Sequence, residues 1–315
     1  MKKLQWLVLI SVIASFVLFN AGFYILFTSR YIDRSPELMK SSSIELDKYL
    51  PFDEASLCVK TDSELTLSGE LPVLDGATAL FPIYSAFMNA YYPEESYVFD
   101  GKSFSEDSLL QKRGTTGAYK AVCDGSADII FVAQPSEEQL RYAQEQGTEL
   151  EFVPIGYEAF VFIVNSGNPV DGLTSEQIKA VYSGSITNWK QLGGGNIPII
   201  PLQRAENSGS QTAMYAFMGD VPMMKPPAVL FGKAIGYSFR FYVSDISGKE
   251  KIKMLSVDGV YPDKESIRNG TYPVTDSFYA VYRSDNTNEN VPLLIERILS
   301  AEGQEIIEKT GYVGI

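Results

Sequence analysis

The chain has 315 residues, roughly two average domains in length, and 45% of them are hydrophobic, which is enough to bury a core. It carries 26 basic and 39 acidic residues, and the net charge of −13 disfavours nucleic acid as a partner because the phosphate backbone is repelled. With no histidine and only two cysteines, Cys58 and Cys123, the sequence excludes Ser-His-Asp and Cys-His catalysis and a structural zinc site.

The N-terminal segment is apolar. Residues 4–27 form an uncharged run of 24 residues, and a helix of that length spans about 36 Å, enough to cross a hydrocarbon core of about 30 Å. The run predicts one transmembrane helix, an uncleaved signal anchor, with residues 1–3 as a cytoplasmic tip and the bulk of the chain outside the cytoplasm at the cell surface. The alternative is a cleaved signal peptide.

The segment that follows the apolar run has no clear periodicity. Residues 28–69 carry scattered charge and three consecutive serines, and they are predicted to form a stalk. Outside the cytoplasm, Cys58 and Cys123 either form a disulfide or stay as two free thiols, because 65 residues separate them and the sequence does not give their geometry.

From residue 70 onward, short apolar runs alternate with helical patterns. Strands are predicted at residues 71–74, 129–132, 160–164 and 197–200. Helices are predicted at residues 80–91, 118–123, 137–146 and 174–182, the last with a capping box at 174–177, and from 207–210 through Met218. Strands that alternate with helices favour open α/β sheets, and the length favours two of them.

Three helix starts share one composition. Glycine and hydroxyl residues stand between a strand or loop and a helix at residues 75–78, 114–117 and 208–211. Glycine lets the backbone approach a ligand closely, and a helix N-terminus offers unpaired N–H groups and a partial positive charge. Because two open sheets can direct such ends at one cleft, the pattern predicts an anion site. The alternative is that these hydroxyls only cap their helices.

A single cation accompanies the third helix start. Arg204 precedes it by a few residues, and Glu206 lies two positions beyond Arg204. We expect the guanidinium to lie beside the anion with the Glu206 carboxylate fixing its orientation. Arg204 as an exposed residue, or as a partner of Glu206 alone, is the other interpretation.

At these residues the sequence resembles the phosphate-binding proteins of ABC importers, the PstS family. The resemblance covers about residues 70–315 and is carried by 75–79, 114–135, 182–189, 203–211 and the ending 303–313. It implies a two-lobed α/β fold of the periplasmic-binding-protein type II class, with a ligand cleft between two open sheets. Lobe 1 would comprise 70–157 plus 276–315, and lobe 2 would comprise 158–275.

The resemblance also implies a ligand and partners. The ligand would be phosphate or a similar tetrahedral oxyanion, and the partners would be the membrane subunits of an ABC importer, or a sensor; no metal or cofactor is implied. The residues that would hold the oxyanion are Thr78, the N–H of Ala79, Thr115, Thr116, Arg204, Ser208, Gly209 and Ser210.

Two departures from the family pattern favour a different role. Ala133 stands where well-studied members have an aspartate that accepts the proton of hydrogen phosphate, and the stretch 224–236 is short, as if part of lobe 2 were trimmed. The alternative is therefore a degenerate binding fold that acts as an extracellular interaction module without a small ligand. An enzyme with Ser208 or Ser210 as nucleophile is not predicted, because the sequence has no Gly-x-Ser-x-Gly elbow and no phosphate-binding loop motif.

Overall fold

The structure is a computed structural model that describes residues 14–22, 46–61, 63, 65–225, 232–246 and 251–315. Of the predicted membrane span at 4–27, only the helical residues 14–22 belong to this set; the cytoplasmic tip at 1–3 lies outside it, as do residues 28–45 of the predicted stalk. None of the helices in the described ranges combines the length and the apolar character that a membrane crossing requires.

Ten strands and eight α-helices organise residues 74–315 among those described, with short 3₁₀ helices at Thr78–Leu80 and Trp189–Leu192 and a π-helix at Tyr242–Ile246. The strands are β1 (Leu74–Gly76), β2 (Ile129–Val132), β3 (Leu150–Asn165), β4 (Gly172–Leu173), β5 (Ile199–Pro201), β6 (Lys233–Phe239), β7 (Ile252–Met254), β8 (Ser256–Val257), β9 (Thr275–Arg283) and β10 (Val313–Gly314). The helices are α1 (Phe81–Tyr91), α2 (Gly114–Asp124), α3 (Glu137–Glu145), α4 (Ser175–Tyr182), α5 (Gly209–Met218), α6 (Lys264–Arg268), α7 (Asn290–Leu299) and α8 (Ala301–Lys309).

One long strand connects the two lobes of this α/β fold. The strand order is β1-β2-β9-β3-β6-β5, with β10 and β7 also paired to β3. Residues 150–159 of β3 pair antiparallel with β9, whereas residues 160–164 pair antiparallel with β6. The mixed sheet thus divides along β3 into a part that belongs to lobe 1 and a part that belongs to lobe 2.

The predicted elements are largely confirmed, with shifts at their ends. Strand β2 and helices α3 and α4 lie where the sequence places them, and the capping box at Thr174 is present. The predicted strand 71–74 shares only Leu74 with β1 and is wrong for residues 71–73, because the ladder to β2 runs from the Leu74–Ile129 pair to the Gly76–Phe131 pair. The predicted strand 160–164 is the second half of β3, and the predicted strand 197–200 begins only at Ile199.

Each lobe has its own apolar core. In lobe 1, ten of the eleven residues of α1 are buried, and the Tyr84 and Phe87 rings lie 5.3 and 5.9 Å from the ring of Phe131. In lobe 2, Trp189 and Tyr237 are buried in a separate cluster with the second half of β3. Because each buried aromatic side chain contributes about 2–3 kcal/mol, these rings hold the helices to the sheet from which the site is built.

Residues 46–67 differ from the predicted stalk. Tyr49, Leu50 and Leu67 are buried, and Tyr49 and Leu67 belong to the core of lobe 1. The backbone is tied down as well, since the N–H of Leu67 donates to the carbonyl of Tyr91 at 2.8 Å. The described residues of this segment are therefore part of lobe 1, because their apolar side chains cover α1 instead of standing in solvent.

The two cysteines are free thiols. Both are buried, Cys58 against α1 and Cys123 at the end of α2, in different clusters. Burial raises the pKa of the Cys58 thiol to about 11 and raises that of Cys123 as well. Of the two alternatives open from the sequence, the structure shows the free thiols and not the disulfide.

Candidate functional site

A cavity of about 180 Å³ lies between the two lobes. Seven of the eight predicted site residues line it: Thr78, Ala79, Thr115, Arg204, Ser208, Gly209 and Ser210. Thr116 is the exception, and its hydroxyl instead donates to the carbonyl oxygen of Asn207 at 3.3 Å. The three glycine-hydroxyl segments, which are far apart in the sequence, therefore meet at one place.

The first segment is a tight connection from β1 to α1. Gly76 ends β1 at a position where a Cβ atom would lie 2.5 Å from the carbonyl oxygen of Phe131, so only glycine fits without a shift. The N–H of Ala77 donates to that same oxygen at 2.8 Å. One 3₁₀ turn, Thr78–Leu80, follows; it has no side-chain cap, and its three residues line the cavity.

The second segment lies within helix α2. The sequence predicts that residues 114–117 precede the helix, but they form its first turn, beginning at Gly114 with a positive φ of 73°. Arg113 occupies the N-cap position and makes no side-chain capping hydrogen bond. The N-terminal N–H groups of α2 thus have no capping side chain, and the hydroxyl of Thr115 stands beside them at the cavity.

A buried carboxylate joins the first two segments, and sequence reasoning did not assign it a role. Asp75 is fully buried and accepts hydrogen bonds from the N–H of Gly76 at 2.7 Å and the N–H of Arg113 at 2.8 Å. The guanidinium of Arg113 also donates to it at 2.7 Å. Burial raises the pKa of Asp75, and the hydrogen bonds from Arg113 and Gly76 act in the opposite direction. Asp75 is a positioning residue for both segments.

The third segment begins helix α5. Ser208 is its N-cap, and its hydroxyl accepts a hydrogen bond from the N–H of Gln211 at 3.3 Å. The N–H of Arg204 donates to the Gln211 side-chain oxygen at 3.0 Å and to the Tyr237 hydroxyl at 3.1 Å. Ser208 therefore serves as a cap and lines the cavity as well, and Gln211 fixes the backbone from which the Arg204 side chain extends.

The role predicted for Glu206 stays a prediction. Its carboxylate accepts a hydrogen bond from the Tyr215 hydroxyl at 2.8 Å. That contact holds the carboxylate against α5, on the same short loop as Arg204.

The cavity also has lining residues that are not among the eight predicted site residues. They are Ala77, Leu80, Glu158, Ser238, Phe239, Tyr242, Asp276, Ser277, Phe278 and Tyr312, together with Ala133 at the end of β2. Glu158 is buried within β3 and accepts hydrogen bonds from the N–H of Ala159 at 2.9 Å and of Phe241 at 3.3 Å. An acidic residue directly before the uncharged, apolar run 159–164 was the signal that could have identified it.

The site has the properties of an anion cavity. Its donors are hydroxyls, N–H groups at helix starts and one guanidinium, while two carboxylates, Glu158 and Asp276, also line it. Within the described residues, no cluster of three or more histidine, cysteine or acidic side chains is arranged to hold a metal ion. The arrangement can surround a small ligand that has several acceptor oxygens.

Comparison with known proteins finds a family model, described as a PBP superfamily domain, that matches residues 72–296. The chain is 24% identical to the phosphate-binding protein PstS of Borreliella burgdorferi over 278 residues, covering 82% of this chain and 93% of the relative. It is likewise 24% identical to PstS of Bacillus subtilis over 265 residues, covering 79% and 81%.

Solved structures show the same architecture. A Clostridium perfringens protein with bound phosphate, described as a candidate phosphate ABC transporter substrate-binding protein, superposes with a TM-score of 0.60 and 27% identity, covering 77% of this chain and 98% of that one. An ABC-type phosphate transport receptor from Vibrio cholerae gives a TM-score of 0.54 at 21% identity, covering 77% and 99%, and shows likeness of fold alone.

Proposed function

Because the chain belongs to the PBP superfamily, we propose that it is a solute-binding protein that captures phosphate, or a similar tetrahedral oxyanion, and delivers it to the membrane subunits of an ABC importer. The observation that carries the proposal is the meeting of three glycine-hydroxyl helix starts and Arg204 at one cavity between the lobes. The names of the relatives, phosphate-binding protein PstS, support the choice of ligand. The role is binding and not catalysis.

In this proposal, the site residues supply two kinds of interaction to the oxyanion, hydrogen bonds and a positive charge. The hydroxyls of Thr78, Thr115 and Ser210 and the N–H groups of Ala79 and Gly209 donate hydrogen bonds to the oxyanion, while Arg204 supplies the positive charge. The net charge of −13 does not prevent this, because distant charges are screened over about 8 Å. Donors and dipoles that are fixed in a closed cleft act at hydrogen-bonding distance instead.

The titration that tests this function compares four oxyanions. The purified full chain is titrated by calorimetry with phosphate, arsenate, sulfate and molybdate. We expect saturable binding of phosphate and of arsenate, which has the same shape and protonation. Sulfate differs from phosphate because it carries no proton at neutral pH. Ala133 supplies no acceptor for a ligand proton, whereas the carboxylates of Glu158 and Asp276 also line the cavity. The affinity for sulfate relative to phosphate therefore measures whether a carboxylate of the cavity selects the protonated ligand. An absence of binding of every oxyanion at millimolar concentration would contradict the proposal and favour the interaction-module alternative.

Location is part of the same proposal. The uncharged run at 4–27 supports a signal anchor that holds the binding lobes outside the cytoplasm. Carbonate extraction of cell membranes should leave the chain in the pellet, and protease added to intact protoplasts should digest it. A chain that appears in the supernatant, shortened at its N-terminus, would show that the segment is cleaved.

A further inference from the structure

Asn207 connects the third segment of the site to two helices of lobe 1. Its backbone carbonyl accepts hydrogen bonds from the Thr116 hydroxyl on α2 at 3.3 Å and from the Gln139 amide on α3 at 3.2 Å. Its side-chain oxygen accepts from the Ser136 hydroxyl at 3.2 Å, and its side-chain amide donates to the Glu138 carboxylate. One residue of lobe 2 thus makes four hydrogen bonds across the cleft.

The partners of Asn207 are fixed by their own helix. Ser136 and Gln139 form the capping box of α3, in which the Ser136 hydroxyl accepts from the N–H of Gln139 and the Gln139 oxygen accepts from the N–H of Ser136. Each keeps a donor for Asn207, the hydroxyl hydrogen of Ser136 and the amide of Gln139. Because these groups are held in place before the lobes meet, little side-chain entropy is lost when the contact forms.

The backbone at Asn207 is specialised for this contact. Its φ is +59°, in the left-handed region that glycine and asparagine adopt more readily than other residues. Asparagine also offers both a donor and an acceptor in a short side chain, which glycine does not. Asn207 is not among the residues that line the cavity, whereas its neighbours Ser208 and Gly209 are.

We propose that Asn207 is a clasp that holds the two lobes closed over the anion and so sets the rate at which the anion leaves. The inference rests on the proposed function, since it concerns release of the same ligand. The four hydrogen bonds exist only while Asn207 lies against α2 and α3, so they favour the closed state over any open one. Ligand escape requires that they break, although none of them touches the ligand.

The test uses a glycine variant and a matched control. Asn207→Gly keeps the left-handed backbone and the carbonyl but removes both side-chain hydrogen bonds. Asp258→Gly is the control, because Asp258 also has a positive φ, of 50°, and its side chain also accepts two hydrogen bonds, both from Ser175. Asp258 and Ser175 both belong to lobe 2, so these hydrogen bonds do not cross the cleft. Stopped-flow measurements with phosphate give the association and dissociation rate constants of each variant.

We expect Asn207→Gly to raise the dissociation rate constant about tenfold, the effect of losing two hydrogen bonds, with a small change in the association rate constant. Asp258→Gly should leave both rate constants within about twofold of the unsubstituted chain, because lobe contacts are untouched. A dissociation rate constant that is unchanged in Asn207→Gly, or raised equally in Asp258→Gly, would overturn the clasp.

A second readout separates this inference from the proposed function. Spin labels on Lys120→Cys and Asp220→Cys, exposed positions on the two lobes, report the distance between lobes without ligand. The native thiols are buried and do not compete for the label. Asn207→Gly should shift this distribution to longer distances than Asp258→Gly does. A chain that binds no oxyanion would contradict the proposed function. A distance distribution that Asn207→Gly does not shift would contradict the clasp, whether or not an oxyanion binds.

Discussion

Replacement of Arg204 by alanine is expected to weaken phosphate binding about 100-fold or more, because it removes the positive charge that the cavity offers through its third segment. The phosphate affinity of Arg204→Lys should lie between that of the unsubstituted chain and that of Arg204→Ala, since an ammonium restores the charge but cannot donate two parallel hydrogen bonds to an oxyanion. Calorimetric titration with phosphate measures both. The backbone at residue 204 should keep its position, because its N–H, which alanine retains, donates to Gln211 and Tyr237.

The control for charge is Arg141→Ala. Arg141 is 65% exposed and lies near Glu145 on α3, so its loss changes the net charge by the same amount away from the cavity. Phosphate affinity should stay within about twofold of the unsubstituted chain, because exposed charges at a distance are screened. Equal affinity of Arg204→Ala and Arg141→Ala would show that the oxyanion binds elsewhere.

Replacement of Asp75 by alanine is expected to lower the free energy of unfolding by about 3 kcal/mol and to weaken phosphate binding at the same time. The fully buried carboxylate accepts from the N–H groups of Gly76 and Arg113 and from the Arg113 guanidinium. Each buried N–H left without an acceptor costs about 1–3 kcal/mol. Binding should weaken because the loop that carries Thr78 and the first turn of α2 lose their common anchor.

The control for Asp75→Ala is Asp285→Ala. Urea unfolding measures the free energy of unfolding of both variants, and calorimetry measures their phosphate affinity. Asp285 receives two hydrogen bonds from Arg283, at 2.8 and 2.7 Å, but is 67% exposed. Its removal should change the free energy of unfolding by less than about 1 kcal/mol, as is usual for surface ion pairs, and should leave affinity unchanged. If the two variants behave alike, Asp75 does not position the site.

The sequence was informative where the determinants are local. Glycine and hydroxyl residues at a helix start follow from backbone geometry within a few residues, and Thr78, Thr115 and Ser208 all reach the cavity. Thr116 does not, because successive side chains on a helix point about 100° apart, so only one of two adjacent threonines in the first turn can face the cavity. Local pattern alone does not determine which one.

Residues that meet through sheet pairing were not predictable in this way. Glu158 in β3 and Asp276 in β9 come together because their strands pair in register, with Glu158 opposite Asp276. Nothing within either segment indicates that register. The same limit explains why residues 46–67 were predicted to be a stalk. A short segment with scattered apolar residues has the same composition whether it lies in solvent or packs in a core, and here Tyr49 and Leu67 pack in a core.

The position of β9 in the sheet has a consequence for biosynthesis. β9 lies between β2 and β3, although it is the last long strand to be made. The strands β5, β6 and β7 and the second half of β3 all belong to residues 160–254 and are complete earlier. Lobe 2 can therefore assemble as soon as its own residues are available, while the earlier-made N-terminal strands wait for residues 275–283 before their sheet can close.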